Sequence, residues 1–523
     1  VAPDLRRSYI AAGFWNDDTL GELLARGLTA HADLAFVTRS DVHPWGGTIG
    51  QVHDLAKRVA GGLRSWGVGP GDVVAFQLPN WVEAAATFYA VTFLGATVAP
   101  VVHFYGPKEL GYILRESGAR VLVTADRFGH QDYVATLEEI RPPTLEHVAV
   151  VGAGVPSWAT PFAQLAINDP VGWPVRVDPD SPALVAYTSG TTSNPKGVVH
   201  THRTIGAETR QLGGVQPDDS PPMLYGAPVG HAIGMLGALL LPVYRGQPIQ
   251  LIDVWDPARV LAAMTSEDLS SGNGSTFFLT SLLDHPDFTP DHLKLMSHIG
   301  LGGSPVPRAV AERATELGIS VTRAYGSTEH PSITGCRHED PLEKRLSTDG
   351  QPLAGVEIRL VDGEILSRGP DCFGGYTDAA LTEAAFEPDG WYHTEDVGVL
   401  DDDGFLLITD RRKDIIIRGG ENVSAAEVEE VLATMPGVAE VAVVAAPDDR
   451  LGEHACAVIR IRPDAPAPCL DDLQAAVRSA GLARQKWPEE LRLVREFPRT
   501  ASGKVQKFVL RERLRRGWDD PVA

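Results

Sequence analysis

Over its first 350 residues the chain switches repeatedly between two hydrophobic periods, and that alternation limits the fold more than any other feature. The run "TIGQVHDLAKRVAGGLRSWG" spaces its apolar residues as a helix does, and "DVVAFQL" follows as a strand. "WVEAAATFYAVTFLG" then reads as helix, "ATVAPVV" as strand, "PKELGYILRESG" as helix and "RVLVT" as strand. Helices and strands in that order predict an α/β fold of parallel sheets with helices on both faces. The character changes after about Ser347. "VEIRLVDGEILSRG" and "VGVLDDDGFLLIT" each place Asp-Gly between alternating runs, the signature of hairpins. The charged turn "DRRKD" marks the boundary between residues 1–411 and a smaller α+β unit, 412–523. There Ser424 and Glu427 form an S-x-x-E capping box that opens a helix, and "VAEVAVVAAP" and "HACAVIRIRP" supply strands.

A chain of 523 residues exceeds one hydrophobic core, in keeping with two or more domains. The net charge of −22 speaks against a nucleic-acid partner, which needs a basic face. Residues 411–523 carry 19 Lys and Arg against 18 Asp and Glu, so the acidic excess sits on the front part. Four scattered cysteines without CxxC spacing predict neither a disulfide framework nor a zinc site, and a cytoplasmic location is expected. The N-terminal stretch lacks the apolar core of a signal peptide. The uncharged segment Ala84–Val102 is long enough to span a bilayer, but Gly95 and Pro100 break it. It reads as a buried helix, a break and a buried strand, with no integral membrane segment.

One loop carries an unusual density of donors. In "YTSGTTSNPKGVVHTH", Thr188, Ser189, Gly190, Thr191, Thr192 and Ser193 lie between two β-rich runs, and Lys196 adds a mobile charge. Hydroxyls and backbone N–H groups converging around a glycine suit a phosphate. The pattern is not a Walker A motif, which requires G-x-x-x-x-G-K-[ST].

This loop resembles the phosphate loop of the adenylate-forming superfamily: acyl-CoA synthetases, amino-acid adenylation domains and luciferases. Further stretches match in the family's order: "APVGH" (227–231), "GLGGSP" (300–305), "YGSTE" (325–329), "GWYHTED" (390–396), "DRRKDIIIRGGENVSAAEVE" and "PRTASGK" (498–504). The resemblance implies a large N-terminal domain of two doubly wound α/β subdomains plus a small β-barrel, followed by a mobile α+β lid. It implies a reaction in two halves: a carboxylic acid and ATP give an acyl-adenylate and pyrophosphate, and a thiol then displaces AMP.

The roles it implies suit the residue types. Tyr325 stacks on adenine; Gly326 belongs to the same nucleotide segment; Thr328 binds a phosphate oxygen. Glu329 holds Mg²⁺, which prefers hard carboxylate, phosphate and water oxygens. Gly302, Gly303 and Ser304 line the nucleotide where backbone must come close. Asp396 accepts the ribose hydroxyls and Arg411 donates to the same sugar. Glu395 departs from the commoner T-G-D pattern by replacing the glycine. Lys504 bonds the attacking carboxylate and an α-phosphate oxygen together. Lys413 is the hinge on which the lid pivots, and Gly420, with Gly419 beside it, lies on the segment that closes over the arm of coenzyme A.

"APVGHAIGM" contains no acid to pair with an amino-acid ammonium, so the aligned branch is that of acyl-CoA ligases. His231 is the candidate gate between acid and thiol. Ile233, Gly234, Met235, Gly237, Phe277, Phe278 and Leu301 are the expected pocket walls, apolar and mixed in size, as a medium-chain or alicyclic hydrocarbon acid requires. The expected activity is an AMP-forming acyl-CoA synthetase using ATP, Mg²⁺ and coenzyme A. The alternatives are a ligase that loads a carrier protein, and an inactive nucleotide or acyl sensor.

Overall fold

The computed structural model describes residues 3–188, 195–217, 220–412, 414–419, 421–448, 450–463, 465–500 and 504–518, with the side chain of residue 422 left aside. Its centre is an eight-stranded sheet. Five neighbouring strands, Pro182–Thr188, Thr97–Val101, Val73–Gln77, Val121–Ala125 and His147–Val151, pair parallel, and Thr160–Pro161 continues that pairing at one edge. At the other edge Lys196–Thr201 and Gly375–Tyr376 run antiparallel. The sequence dictates the layers. The helix Ile49–Ser65 is amphipathic and opens on a reciprocal cap between Thr48 and Gln51. The helix Val82–Phe93 is buried nearly all round, which explains its uniformly apolar composition. Gly95 then takes φ +65°, where a side chain would also strike Val177, and the buried strand Thr97–Val101 follows. No helix among the described residues is long and apolar enough to cross a membrane.

A second sheet orders Leu224–Tyr225, Ile249–Ile252, Ala35–Arg39 and Trp45–Thr48; a third orders His298–Gly302, Ser320–Tyr325, Thr334–Gly335 and Gln351–Pro352. A four-stranded antiparallel sheet follows, Glu357–Val361, Glu364–Arg368, Tyr392–Leu400 and Leu406–Arg411. Both expected hairpins lie in it. Asp362 and Gly363 take φ +49° and +80°, the paired left-handed turn that matches strand twist.

The last part packs around its own sheet, in which Val438–Asp448 pairs Gly452–Ile461. Val443 faces one apolar cluster with Ile416, Val428 and Leu473; its neighbour Val444 faces another with Val494, Phe497 and Leu510. The expected capping box is only half formed. Ser424 Oγ accepts from Glu427 N at 3.2 Å, but the Glu427 carboxylate pairs with Lys486 at 2.5 Å instead of returning to the cap. Tertiary charge pairing has outcompeted the local bond. The same helix end is docked on the preceding sheet, because Ser424 Oγ donates to the Thr409 carbonyl and Ala425 N donates to Asp410 Oδ2.

Candidate active site

Strand ends from three sheets and one loop of the last domain bring charged and polar side chains into one neighbourhood. Thr188 ends its strand directly opposite Lys196, which starts the next. Ser189, Gly190, Thr191, Thr192 and Ser193 lie outside the described residues. The Lys196 ammonium sits 5.1 Å from the centroid of the Tyr376 ring.

The run Tyr325–Glu329 leaves the strand Ser320–Tyr325 as a tight turn. A Cβ at Gly326 would lie 1.8 Å from the Pro331 carbonyl oxygen, so only glycine fits. Tyr325 is buried and its hydroxyl donates to Asp396 Oδ2 at 2.7 Å. Burial, then the Asp396 charge, raise its pKa and keep it a donor. Asp396 is 3% exposed and receives Arg411 Nε at 2.6 Å from its register partner across the antiparallel pair. The Asp396 charge holds Arg411 still more firmly protonated. Between Thr394 and Asp396, Glu395 takes φ +61°. A glycine adopts that backbone freely, which is the physical reason for the commoner T-G-D pattern; here an exposed glutamate bears it.

The Thr328 carbonyl lies 2.8 Å from His200 Nε2, and since a carbonyl only accepts, that nitrogen carries the proton. Burial pushes His200 down to about 4, so it stays neutral. Glu329, 9% exposed, accepts from the Tyr376 hydroxyl at 2.9 Å, and its carbonyl accepts from Phe373 N at 2.8 Å. Behind the turn is a buried charge group. His330 pairs with Asp371 at 3.2 Å; burial opposes its charge, but Asp371 and Cys372 outweigh it and push it up to about 10. Burial, then the Asp371 charge, push the Glu208 carboxyl well above its ordinary value.

Lys504 comes from the far end of the chain. Its loop is fixed by Thr500 N donating to the Lys504 carbonyl at 2.7 Å, and Lys504 N donating to Thr500 Oγ1 at 3.1 Å. Burial, and then the Arg411 charge, push its ammonium down to about 8, while Asp396 and Glu329 pull it back up. Lys504 therefore shares one electrostatic site with Arg411, Asp396 and Glu329, far earlier in the chain. Lys504 also repels a proton from His231, which burial already drives down to about 4. His231 caps the turn Ala232–Met235 through its Nδ1 and carbonyl.

The expected acid-binding segment leads into a π-helical turn, Leu236–Leu240, followed by Leu241 and then Pro242, whose missing N–H interrupts the helical ladder. Ile233 reaches Gly303: a Cβ there would lie 2.7 Å from Ile233 Cδ1, and Gly303 takes φ +71°. Gly302 abuts the Ala324 carbonyl, and Ser304 beside them is half-buried. Gly234 faces the Pro228 carbonyl, and Gly237 makes room for the Tyr225 ring. Phe278 stands edge-on to Trp255 at 4.6 Å. Met235 and Leu301, each 1% exposed, belong to two separate apolar cores. Phe277 is 40% exposed and carries the Arg499 guanidinium 5.7 Å over its ring. Gly419 takes φ +59° in the last domain, with its N–H on the Leu451 carbonyl. Lys413 and Gly420 lie outside the described residues.

His200, Tyr376 and Arg499 are the site neighbours that the motifs did not single out. His200 and Arg499 lie inside quoted stretches but carry no motif role there, and Tyr376 lies between motifs; their partners are set by packing, which spacing alone cannot rank.

A paired Asp396 and Arg411, the turn carrying Glu329, and Lys504 from the last domain thus act on one another within one electrostatic site. A family model described as "AMP-binding enzyme" matches residues 34–377, and one described as "AMP-binding enzyme C-terminal domain" matches 427–504. The chain belongs to the AMP-binding enzyme family. It is 32% identical to the medium-chain fatty-acid–CoA ligase of Escherichia coli, over 98% of this chain and 93% of that one. It is 36% identical to a 7a-methyl-1,5-dioxo-octahydro-1H-inden-4-yl-propanoyl:CoA ligase of Rhodococcus jostii, over 94% and 98%. The fold matches the crystal structure of an anthranilate CoA ligase in complex with anthranoyl-AMP, with a TM-score of 0.85 at 26% identity, covering 95% and 97% of the two chains.

Proposed function

We propose that this enzyme joins a compact, largely apolar carboxylic acid, medium-chain or alicyclic, to coenzyme A in an AMP-forming reaction. The observation that carries the reading is the placement of Lys504 within the field of Glu329, Asp396 and Arg411. The first half-reaction drives a carboxylate against a polyanion, so charge accumulates at the α-phosphorus and fixed cations are worth most there. Lys504 bonds the attacking carboxylate and an α-phosphate oxygen, which become one anionic centre in the transition state. Lys196 and Thr328 hold the remaining phosphate oxygens, with Thr188 at the mouth of the loop. Asp396, held by Tyr325 and Arg411, accepts the ribose hydroxyls, and the 302–304 backbone lies along the base.

The carboxylate of Glu329 suits Mg²⁺: it is a hard ligand, and no cluster of three or more His, Cys, Asp or Glu among the described residues competes for the ion. When bound, Mg²⁺ neutralises charge on the triphosphate and the leaving pyrophosphate. His231, neutral and at the mouth of the acid segment, separates acid from thiol without adding a charge.

The size of the acid follows from the rings. Tyr225 and Trp255 fill the space left by the missing side chains of Gly237 and Gly226, which favours a short or folded hydrocarbon over a long extended one. The lid starts after Arg411 and pivots near Lys413, presenting the Gly419–Gly420 segment for the second half. A panel of linear, alicyclic and aromatic acids, assayed for AMP release with and without coenzyme A, tests this. AMP release from medium-chain or alicyclic acids that requires coenzyme A for turnover is expected. Turnover only with a carrier protein, or only with long chains, would overturn it.

A further inference from the structure

Tyr376 lies in none of the stretches that mark the site, yet its side chain meets two of its functional groups. It stands on the two-residue strand Gly375–Tyr376 at the edge of the central sheet, in register with Val198. Its hydroxyl donates to Glu329 Oε1 at 2.9 Å, while the Lys196 ammonium lies 5.1 Å from its ring centroid. Lys196 begins the strand leaving the donor-rich loop, and Glu329 ends a turn that follows a strand of another sheet. One rigid side chain thus spans the distance between them.

The ring itself is fixed. Phe373 packs against it edge-on at 4.9 Å, and Thr382 Oγ1 accepts from Tyr376 N at 2.8 Å. Tyr376 is 8% exposed, so its ring and hydroxyl are held by packing on every side. A phenol has one proton to give. It holds one Glu329 oxygen and leaves the other with no hydrogen-bond partner among the described residues, open to a cation. The face of the ring is the negative end of its quadrupole and attracts an ammonium.

We propose that Tyr376 is a positioning residue, which sets the separation of Lys196 and Glu329 so that one meets triphosphate oxygens while the other receives the divalent ion. The proposal rests on the reading of those two residues given above. Tyr376→Phe removes the donor and keeps the ring; Tyr376→Leu removes both. ATP binding to the full chain is measured by titration calorimetry without acid, in EDTA and in Mg²⁺, beside the thermal midpoint. Tyr376→Phe should bind ATP in EDTA as the parent does, with an unchanged midpoint, and lose about tenfold of the magnesium enhancement, the scale of a hydrogen bond to a charged group. Tyr376→Leu should lose that enhancement and in addition bind ATP in EDTA at least threefold more weakly. Glu329→Gln separates the two levels. If it abolishes the enhancement while Tyr376→Phe retains it in full, the role of Tyr376 is overturned and the nucleotide reading stands. If Glu329→Gln leaves the enhancement intact, Glu329 is not the metal residue and both fall. Equal weakening in EDTA and Mg²⁺ by Tyr376→Phe, with a lowered midpoint, would reduce Tyr376 to packing and also overturn the proposal.

Discussion

In the proposed reaction the ionisation of Lys504 matters most, and burial beside Arg411 lowers its pKa. Lysine ordinarily titrates near 10.5; burial and Arg411 bring this one to about 8 before substrates bind. Only the protonated form can hold the transition-state anion. The value of kcat/KM for ATP, which reports the free enzyme, should therefore fall as pH rises through about 8, tenfold per unit. Residual activity of Lys504→Arg should show no such limb, because guanidinium does not titrate there. Glu395 poses a different question at this scale. A left-handed backbone costs an ordinary residue about 1–2 kcal/mol, partly offset by the entropy that glycine would lose. Glu395→Gly should raise the thermal midpoint by about 1 °C and leave pyrophosphate exchange within about twofold. A lowered midpoint would mean that the exposed glutamate makes contacts worth more than the strain.

The turn from Gly326 to Pro331 shows what an element contributes. Ser327 N donates to the His330 carbonyl, His330 N donates to Ser327 Oγ, and the Thr328 and Glu329 carbonyls are held by His200 and Phe373. Every part of the turn is pinned, so a displacement at its start moves both functional side chains. Gly326→Ala should lower acid-dependent pyrophosphate exchange about a hundredfold, the cost of shifting a reacting geometry by about 1 Å; exchange within threefold of the parent would show that the turn tolerates the added carbon. The elements themselves were largely legible. The helices 49–65 and 82–93 and the strands between them follow from period and breakers, and the Asp362–Gly363 hairpin from its turn residues. The clusters behind the site were not, because His330–Asp371 and Tyr376–Glu329 join residues 41 and 47 positions apart. No periodicity encodes such pairings; they arise only when sheets pack. Where local and tertiary bonds compete for one carboxylate, as at Glu427, the sequence showed the local partner and the fold chose Lys486.

At the scale of the whole molecule, the last domain meets the first through few contacts that the chemistry uses. Arg499, on the same loop as Lys504, lies over Phe277 while also pairing with Glu440 in its own domain. A cation–π contact at an exposed ring contributes about 0.5–1 kcal/mol, so Phe277→Leu should slow pyrophosphate exchange about two- to fivefold and spare thioester formation from supplied adenylate. The central claim is that Lys504 completes a nucleotide site built by strands lying between Pro182 and Arg411. The most direct measurement of it separates the half-reactions in Lys504→Ala. Acid-dependent ATP–pyrophosphate exchange should drop by several orders of magnitude, while synthetic acyl-adenylate and coenzyme A still give acyl-CoA at a rate near that of the parent. Equal loss of both half-reactions, or retention of both, would contradict the account.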